Sequence, residues 1–136
     1  MINIGEEPEK GNQLTIATHK LLAESNMLNF IGNAESRELF DSEADVFVCS
    51  GFVGNIILKM AEKFYEIACH KGLQDDPFFS RFNYEIYGGS PILGVNKPVV
   101  VGHGISSPTA IKNMILCTKK IAENHLPDQI KKAMYV

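Results

Sequence analysis

The chain has 136 residues, of which 45% are hydrophobic, and a formal net charge of −3. This length suits one domain with its own core, and the acidic balance argues against nucleic acid as a partner. No apolar run approaches the roughly 20 residues that span a bilayer, and the first residues do not resemble a signal peptide. The three cysteines are widely separated, which predicts reduced core thiols in a cytoplasmic protein.

Hydrophobic periodicity predicts strands that alternate with helices. Strands are predicted at residues 1–4, 28–31, 46–49 and 99–101. Helical segments are predicted at residues 14–22, 34–40, 55–67, 111–122 and 127–135, and residues 77–87 are aromatic and irregular. The alternation predicts a single α/β domain over residues 1–136, with three layers (α-β-α) around a mostly parallel sheet. Ligands of such sheets bind outside the carboxyl ends of the strands.

The first candidate site follows the third predicted strand, where Ser50-Gly-Phe-Val-Gly-Asn55 is predicted to form a turn before a helix. Glycine turns at helix N-termini direct several backbone N–H groups at one point and bind phosphate. Lys59 on that helix leans toward the N-terminus and reinforces the attraction for an anion. The same pattern is also typical of a plain strand-to-helix connection with a solvated lysine. Gly72 is predicted to cap the C-terminus of the helix.

The second candidate site repeats this plan in Gly102-His-Gly-Ile-Ser-Ser107, with Ser107 and Pro108 suited to the start of a helix. The pattern resembles part of a dinucleotide fingerprint. However, Ser107 replaces the third glycine, and no later strand carries the required acidic residue, so nicotinamide binding is not predicted. A histidine between two glycines is accessible to ligand. His103 is therefore a candidate acid, or a candidate hydrogen-bond donor to an oxyanion.

Two further features carry weaker signals. The glycine-rich segment 87–94, which includes Gly88 and Gly89, would let the backbone approach a ligand closely. The acidic loop residues Glu6, Glu7 and Glu9 have no second cluster to complete a metal site, so neither a metal nor a cofactor is predicted.

Seven motifs occur in a specific order along the chain, at residues 3–7, 10–12, 29–33, 44–46, 51–59, 88–96 and 103–106. This succession resembles the C-terminal half of the PlsX-type phosphate acyltransferases of phospholipid synthesis, from about Ile2 to Glu123. A more distant likeness is to phosphate acetyltransferases and to the isocitrate/isopropylmalate dehydrogenase fold.

The resemblance implies transfer of a fatty acyl group from acyl-acyl carrier protein to inorganic phosphate, which gives acyl phosphate for a membrane glycerol-3-phosphate acyltransferase. It also implies a homodimer in the cytoplasm with loose attachment to the membrane. With this chemistry, His103, Lys59 and Asn55 are the predicted catalytic residues. The predicted phosphate- and substrate-binding residues are Ser50, Gly51, Gly54, Asn55, Gly88, Gly89, Gly104, Ser106 and Ser107.

Departures from the family leave other functions open. Ser50 stands where the family commonly has aspartate, and Asn96-Lys97 stands where it tends to have Asn-Gly. Family members also run to more than twice this length, so the chain is expected to be incomplete as an enzyme. A non-catalytic remnant that keeps dimerisation or carrier-protein binding is one alternative, and Ser50 favours it. A phosphate acetyltransferase-like enzyme that uses coenzyme A is the other.

Overall fold

The computed structural model describes residues 1–134. The chain divides into two compact units, Met1–Ile57 and a second from Leu58 onward, and each is described by itself. The predicted single domain stays a prediction. The helices of the described residues are α1 (Gln13–Ala23), α2 (Gly51–His70), α3 (Tyr84–Tyr87), α4 (Pro108–Glu123) and α5 (Leu126–Met134), with 3-10 helices at Ser36–Leu39 and Phe79–Phe82. The strands are β1 (Gly89–Pro91) and β2 (Val100–Gly102).

The first unit has less strand than the sequence predicts. Ile2 and Ala34 form a single parallel bridge, and the N–H of Ile2 donates to the carbonyl of Val48 at 2.9 Å. The predicted strands at 1–4, 28–31 and 46–49 are otherwise unpaired, so those three predictions were wrong. A strand needs a neighbour that supplies a row of hydrogen bonds. Residues 1–4 form one bond with the 46–49 segment and two at Ala34, which is too few for a strand.

The helix α2 begins earlier than predicted. The hydroxyl of Ser50 accepts from the N–H of Val53 at 3.3 Å, and the Ser50 carbonyl accepts from the N–H of Gly54 at 2.9 Å. Ser50 therefore acts as the N-cap, and Gly51–Asn55 is the first turn of the helix rather than a turn before it. Neither Gly51 nor Gly54 has a positive φ, so this segment needs no special backbone.

The C-terminus of α2 confirms the predicted cap. Gly72 has a φ of 72°, and its N–H donates to the carbonyl of Cys69 at 3.0 Å. The N–H of Leu73 donates to the carbonyl of Ala68 at 2.8 Å. This pair of bonds is the Schellman arrangement, in which glycine is favoured because its backbone is left-handed.

The second unit contains an antiparallel pair of strands, not the predicted parallel sheet. β1 pairs with β2 in the register Gly89↔Gly102, Ser90↔Val101 and Pro91↔Val100. β2 matches the strand predicted at residues 99–101. Its partner was missed because glycine, serine and proline have low strand propensity. The chain is thus of mixed α/β type, with a small two-stranded sheet among its described residues.

The last two helices match the prediction. The Ser107 hydroxyl accepts from the N–H of Ala110 as N-cap, and Pro108 is the first residue of α4. The final helix was predicted over residues 127–135 and occupies Leu126–Met134. Tyr135 lies outside the described residues. None of the described helices combines the length and the apolarity that crossing a bilayer requires.

Few large side chains are buried. The buried hydrophobic residues of the described chain are Met1, Ala34, Ala68 and Ala110. Phe64 on α2 is 51% exposed and Ile115 on α4 is 62% exposed. The cysteines are free thiols as predicted, but Cys69 is exposed rather than part of a core.

Candidate functional site

The loop between β2 and α4 is built around His103. The N–H and the hydroxyl of Ser106 both donate to the His103 carbonyl, at 3.0 Å and 2.6 Å. These bonds fix the turn that carries the histidine. A Cβ added at Gly104 would meet no atom within 4 Å, so the second glycine of the motif faces open space. The packing of the protein gives no steric reason for a glycine at that position.

The His103 imidazole has three neighbours. Its Nε2 lies 3.7 Å from a carboxylate oxygen of Glu62, and the two side chains are 35% and 34% exposed. Its Nδ1 accepts from the N–H of Ile105 at the long distance of 3.5 Å. The ring of Tyr84 lies against it, with centroids 5.2 Å apart and planes at 36°. In the tautomer that lets Nδ1 accept this bond, the proton of the neutral ring lies on Nε2, toward Glu62.

A second polar group surrounds the start of α4. The Ser107 hydroxyl donates to a carboxylate oxygen of Glu85 and accepts from the N–H of Ala110 at 3.2 Å. The side chain of Asn113 donates to the Glu85 carbonyl at 2.8 Å. The hydroxyls of both Ser107 and Ser106 therefore have partners within the protein. Their predicted role as ligand donors stays a prediction.

Asn83 links this region to α2. Its side-chain oxygen accepts from the N–H of Glu85 at 3.0 Å, and its side-chain nitrogen donates to the Tyr65 hydroxyl at 3.1 Å. Partial burial, followed by a hydrogen bond with Cys69, raises the pKa of Tyr65 above its ordinary value. The Tyr65 hydroxyl therefore stays neutral at physiological pH. Its bond with Asn83 fixes the position of α2 next to the segment that carries Tyr84.

Gly88 and Gly89 in the 87–94 segment serve packing. A Cβ on Gly88 would overlap the backbone nitrogen of Met114 in α4, and Gly88 has a φ of 76°. A Cβ on Gly89 would come within 2.5 Å of the Val101 carbonyl oxygen. The register places Gly89 opposite Gly102, so this segment lies next to the start of the His103 loop. That Gly88 and Gly89 bind phosphate stays a prediction.

The first candidate site belongs to the N-terminus of α2. The Ser50 cap uses the N–H of Val53. Within the described chain, no acceptor is recorded for the N–H groups of Gly51 and Phe52, and a Cβ at Gly51 would meet no atom within 4 Å. A helix N-terminus with unused N–H groups attracts anions. That Asn55 and the Gly51–Gly54 backbone share one site with His103 stays a prediction.

Replacement of Ser50 should separate its capping role from any catalytic one. We expect Ser50→Ala to lower the free energy of unfolding by about 1 kcal/mol, because the N–H of Val53 loses its acceptor. Ser50→Asp should change stability by less than about 0.5 kcal/mol, since aspartate caps equally well. Urea unfolding followed by circular dichroism measures both variants. Equal losses for alanine and aspartate would contradict the cap assignment.

Lys59 and Glu62 lie three residues apart on α2, and residues at this spacing share one face of a helix. The face that brings Glu62 to His103 therefore also carries Lys59. Sequence reasoning missed Glu62, Tyr84 and Glu85. The spacing from Lys59 was the one signal that could have drawn attention to Glu62.

Among residues 1–134, no group of three or more histidine, cysteine, aspartate or glutamate side chains is arranged to hold a metal ion. The described groups can instead form hydrogen bonds, attract an anion and move a proton. A site that acts on an anionic substrate uses all three of these interactions.

Comparison with known proteins gives consistent matches. A family model described as "Fatty acid synthesis protein" matches residues 1–71. A protein named phosphate acyltransferase from Halothermothrix orenii is 40% identical in an alignment of 150 residues. This alignment covers 96% of this chain and 45% of that protein. A relative of the same name from Clostridium botulinum is 41% identical, and the alignment covers 97% of this chain and 45% of the relative. Another from Clostridium perfringens is 42% identical, and the alignment covers 93% of this chain and 42% of the relative.

The chain thus spans less than half the length of the curated relatives that it matches. The alignment with the Halothermothrix protein runs over 150 residues, more than the 136 of this chain, so that relative has residues within the matched region that this chain lacks. The predicted resemblance to PlsX-type phosphate acyltransferases is confirmed by these matches. With the family model covering just over half of its residues, the chain belongs to the fatty acid synthesis protein family.

Proposed function

We propose that this chain forms the acyl-transfer part of a phosphate acyltransferase, which moves a fatty acyl group from acyl-acyl carrier protein to inorganic phosphate and yields acyl phosphate. The name of the relatives supports the reaction. The observation that carries the proposal is the sheltered pair of His103 and Glu62, next to a glycine whose side-chain position is open. This pair can move a proton beside a space that a ligand can enter.

The reaction makes modest demands on the protein. An oxygen of hydrogen phosphate attacks the thioester carbonyl carbon, the C–S bond breaks, and the phosphate proton ends on the departing sulfur. The nucleophile is already an anion at neutral pH, so capture, orientation and stabilisation of the developing oxyanion matter most. His103 can carry the proton, and the N–H of Gly104 can donate to the oxyanion.

The N-terminus of α2 is the proposed anion-binding element. The N–H groups of Gly51 and Phe52 and the positive end of the helix dipole favour phosphate there. Lys59, two turns into the helix, adds a full positive charge. We assign phosphate capture to these groups.

The capping role of Ser50 weakens the case for a non-catalytic remnant. That alternative depended on serine at the position where the family has aspartate. Both residues are good N-caps, and Ser50 makes the expected bond with Val53. The exchange therefore preserves the structural role at this position.

The proposal has a wider architectural part. We assign the chain to the C-terminal half of a three-layer α-β-α enzyme with a mostly parallel sheet, active as a homodimer in the cytoplasm and loosely attached to the membrane. Its product would pass to a membrane glycerol-3-phosphate acyltransferase. The large apolar side chains left exposed on α2 and α4 support contacts with further protein.

Reconstitution tests the function. The part of the Halothermothrix orenii relative that this chain does not cover is joined to the N-terminus of the chain. We expect this reconstituted enzyme to form acyl phosphate from phosphate and acyl-acyl carrier protein, detected by trapping with hydroxylamine. An acyl-coenzyme A arm tests the alternative donor. Product from coenzyme A alone would overturn the carrier-protein assignment, and no product from either donor would overturn the proposed function.

The Gly104→Ala variant of the reconstituted enzyme locates the reaction. The added methyl group enters open space and leaves the fold intact, but it occupies room proposed for the thioester. We expect kcat/KM for the acyl donor to fall about tenfold, a loss of about 1.4 kcal/mol in transition-state binding. Unchanged kinetics would remove Gly104 from the site.

A further inference from the structure

The pair formed by Glu62 and His103 differs from the other histidine–carboxylate pairs of the second unit. Its side chains are 35% and 34% exposed, whereas those of His70 and Glu66 are 78% and 54% exposed. Solvent screens exposed ion pairs strongly and sheltered ones much less. Of the two pairs, that of Glu62 and His103 is therefore the one less screened by solvent.

A hydrogen bond joins α2, near Glu62, to the segment that carries Tyr84. One turn further along α2, Tyr65 accepts a hydrogen bond from Asn83 at 3.1 Å. The residue after Asn83 is Tyr84, whose ring lies against His103. Glu62 and Tyr84 thus approach the imidazole from two elements that the Tyr65–Asn83 bond ties together.

We propose that Glu62 is the positioning residue for His103 in acyl transfer, an inference that rests on the proposed function. In this role a proton on Nε2 faces the Glu62 carboxylate 3.7 Å away, and the Nδ1 lone pair is left for the substrate. The hydroxyl of hydrogen phosphate replaces the long Ile105 contact and gives its proton to Nδ1 as the phosphate oxygen attacks the thioester carbon. The imidazolium, stabilised by the Glu62 carboxylate, then returns that proton to the departing sulfur. The proton count balances, and no further reactant is needed.

The first test is spectroscopic and needs no activity. Nitrogen-15 NMR of the chain, at a pH where the imidazole is neutral, reports which ring nitrogen carries the proton. We expect His103 to be the Nε2–H tautomer. Glu62→Gln should lower the ratio of Nε2–H to Nδ1–H about fivefold, because a neutral acceptor is weaker than a carboxylate. The matched control is Glu66→Gln on the same helix, which should leave the His103 ratio unchanged.

The second test is a double-mutant cycle in the reconstituted enzyme. Glu62→Gln alone should lower kcat about tenfold and change the KM for phosphate by less than about twofold. In a His103→Gln background, the same change should lower kcat by less than about twofold, because Glu62 acts only through the histidine. A purely structural carboxylate would give the same loss in both backgrounds.

The outcomes separate the two proposals. An unchanged tautomer ratio in Glu62→Gln, or additive losses in the cycle, would overturn the positioning role even in an active enzyme. If the reconstituted enzyme forms no acyl phosphate, the proposed function fails, and the NMR ratio still decides whether Glu62 sets the proton on His103. Amide exchange of α2 and α4 in each variant checks that the fold is kept.

Discussion

Replacement of His103 by glutamine in the reconstituted enzyme is expected to lower kcat about 10²- to 10³-fold, with a much smaller change in the KM for phosphate. Glutamine can still form hydrogen bonds but cannot take up and release a proton, and positioned proton transfer typically contributes a factor of this size. The histidine lies on a fixed loop, within 3.7 Å of a sheltered carboxylate. Steady-state assays of acyl phosphate formation over a range of phosphate concentrations measure both constants.

The chain provides a matched control for this result. His70 also pairs with a glutamate, at 3.8 Å, but on the exposed surface of α2. His70→Gln should retain kcat within about twofold, since exposed pairs contribute little. Equal losses in the two variants would show that removal of a histidine–glutamate pair, rather than the chemistry of His103, causes the effect.

Replacement of Gly88 by alanine should destabilise the second unit by about 3–5 kcal/mol. Two costs combine at this position. The backbone has φ 76° and ψ −37°, a conformation that glycine adopts easily and that other residues adopt only with strain. The new methyl group would also lie 2.6 Å from the Asn113 carbonyl carbon and 2.7 Å from the Ala110 carbonyl oxygen. Neither atom can move without distortion of α4.

Two other glycines separate the cost of backbone strain from the cost of steric overlap with α4. Gly94 has a φ of 77° but nothing within 4 Å of an added Cβ, so Gly94→Ala should cost about 1–2 kcal/mol from backbone strain alone. Gly104 has neither constraint, and Gly104→Ala should change stability by less than about 0.5 kcal/mol. Urea unfolding of the three variants gives the ranking. A Gly88 loss no larger than that of Gly94 would refute the close packing against α4.

Local signals in the sequence predicted local structure well. The Ser107 cap and the Gly72 terminator were both confirmed, because each depends on residues within one helical turn. The first turn of α2 was misjudged. Glycines suggested a loop there, but the Ser50 hydroxyl supplies a cap that lets the helix start at Gly51.

Features that depend on distant residues were predicted poorly. The segment at 46–49 is rich in β-formers, yet it is not a strand, because pairing is decided by neighbours and not by propensity. β1 shows the converse, since a glycine-serine-proline segment pairs where β2 lies alongside it. The same reasoning explains the candidate site. His103 was identified from its glycine neighbours, whereas Glu62 is brought to it only by the fold.

Most of the buried hydrophobic residues in the described part of the chain are alanines. This affects how the melting temperature of the protein responds to ligands. An alanine methyl contributes less than a kilocalorie or so of transfer free energy, far below a leucine or phenylalanine. A ligand at one hundred times its dissociation constant, by contrast, adds about 2.7 kcal/mol to whichever form it binds. A ligand or a protein neighbour that binds the folded form therefore shifts the melting temperature of this chain more than any one of these buried alanines does.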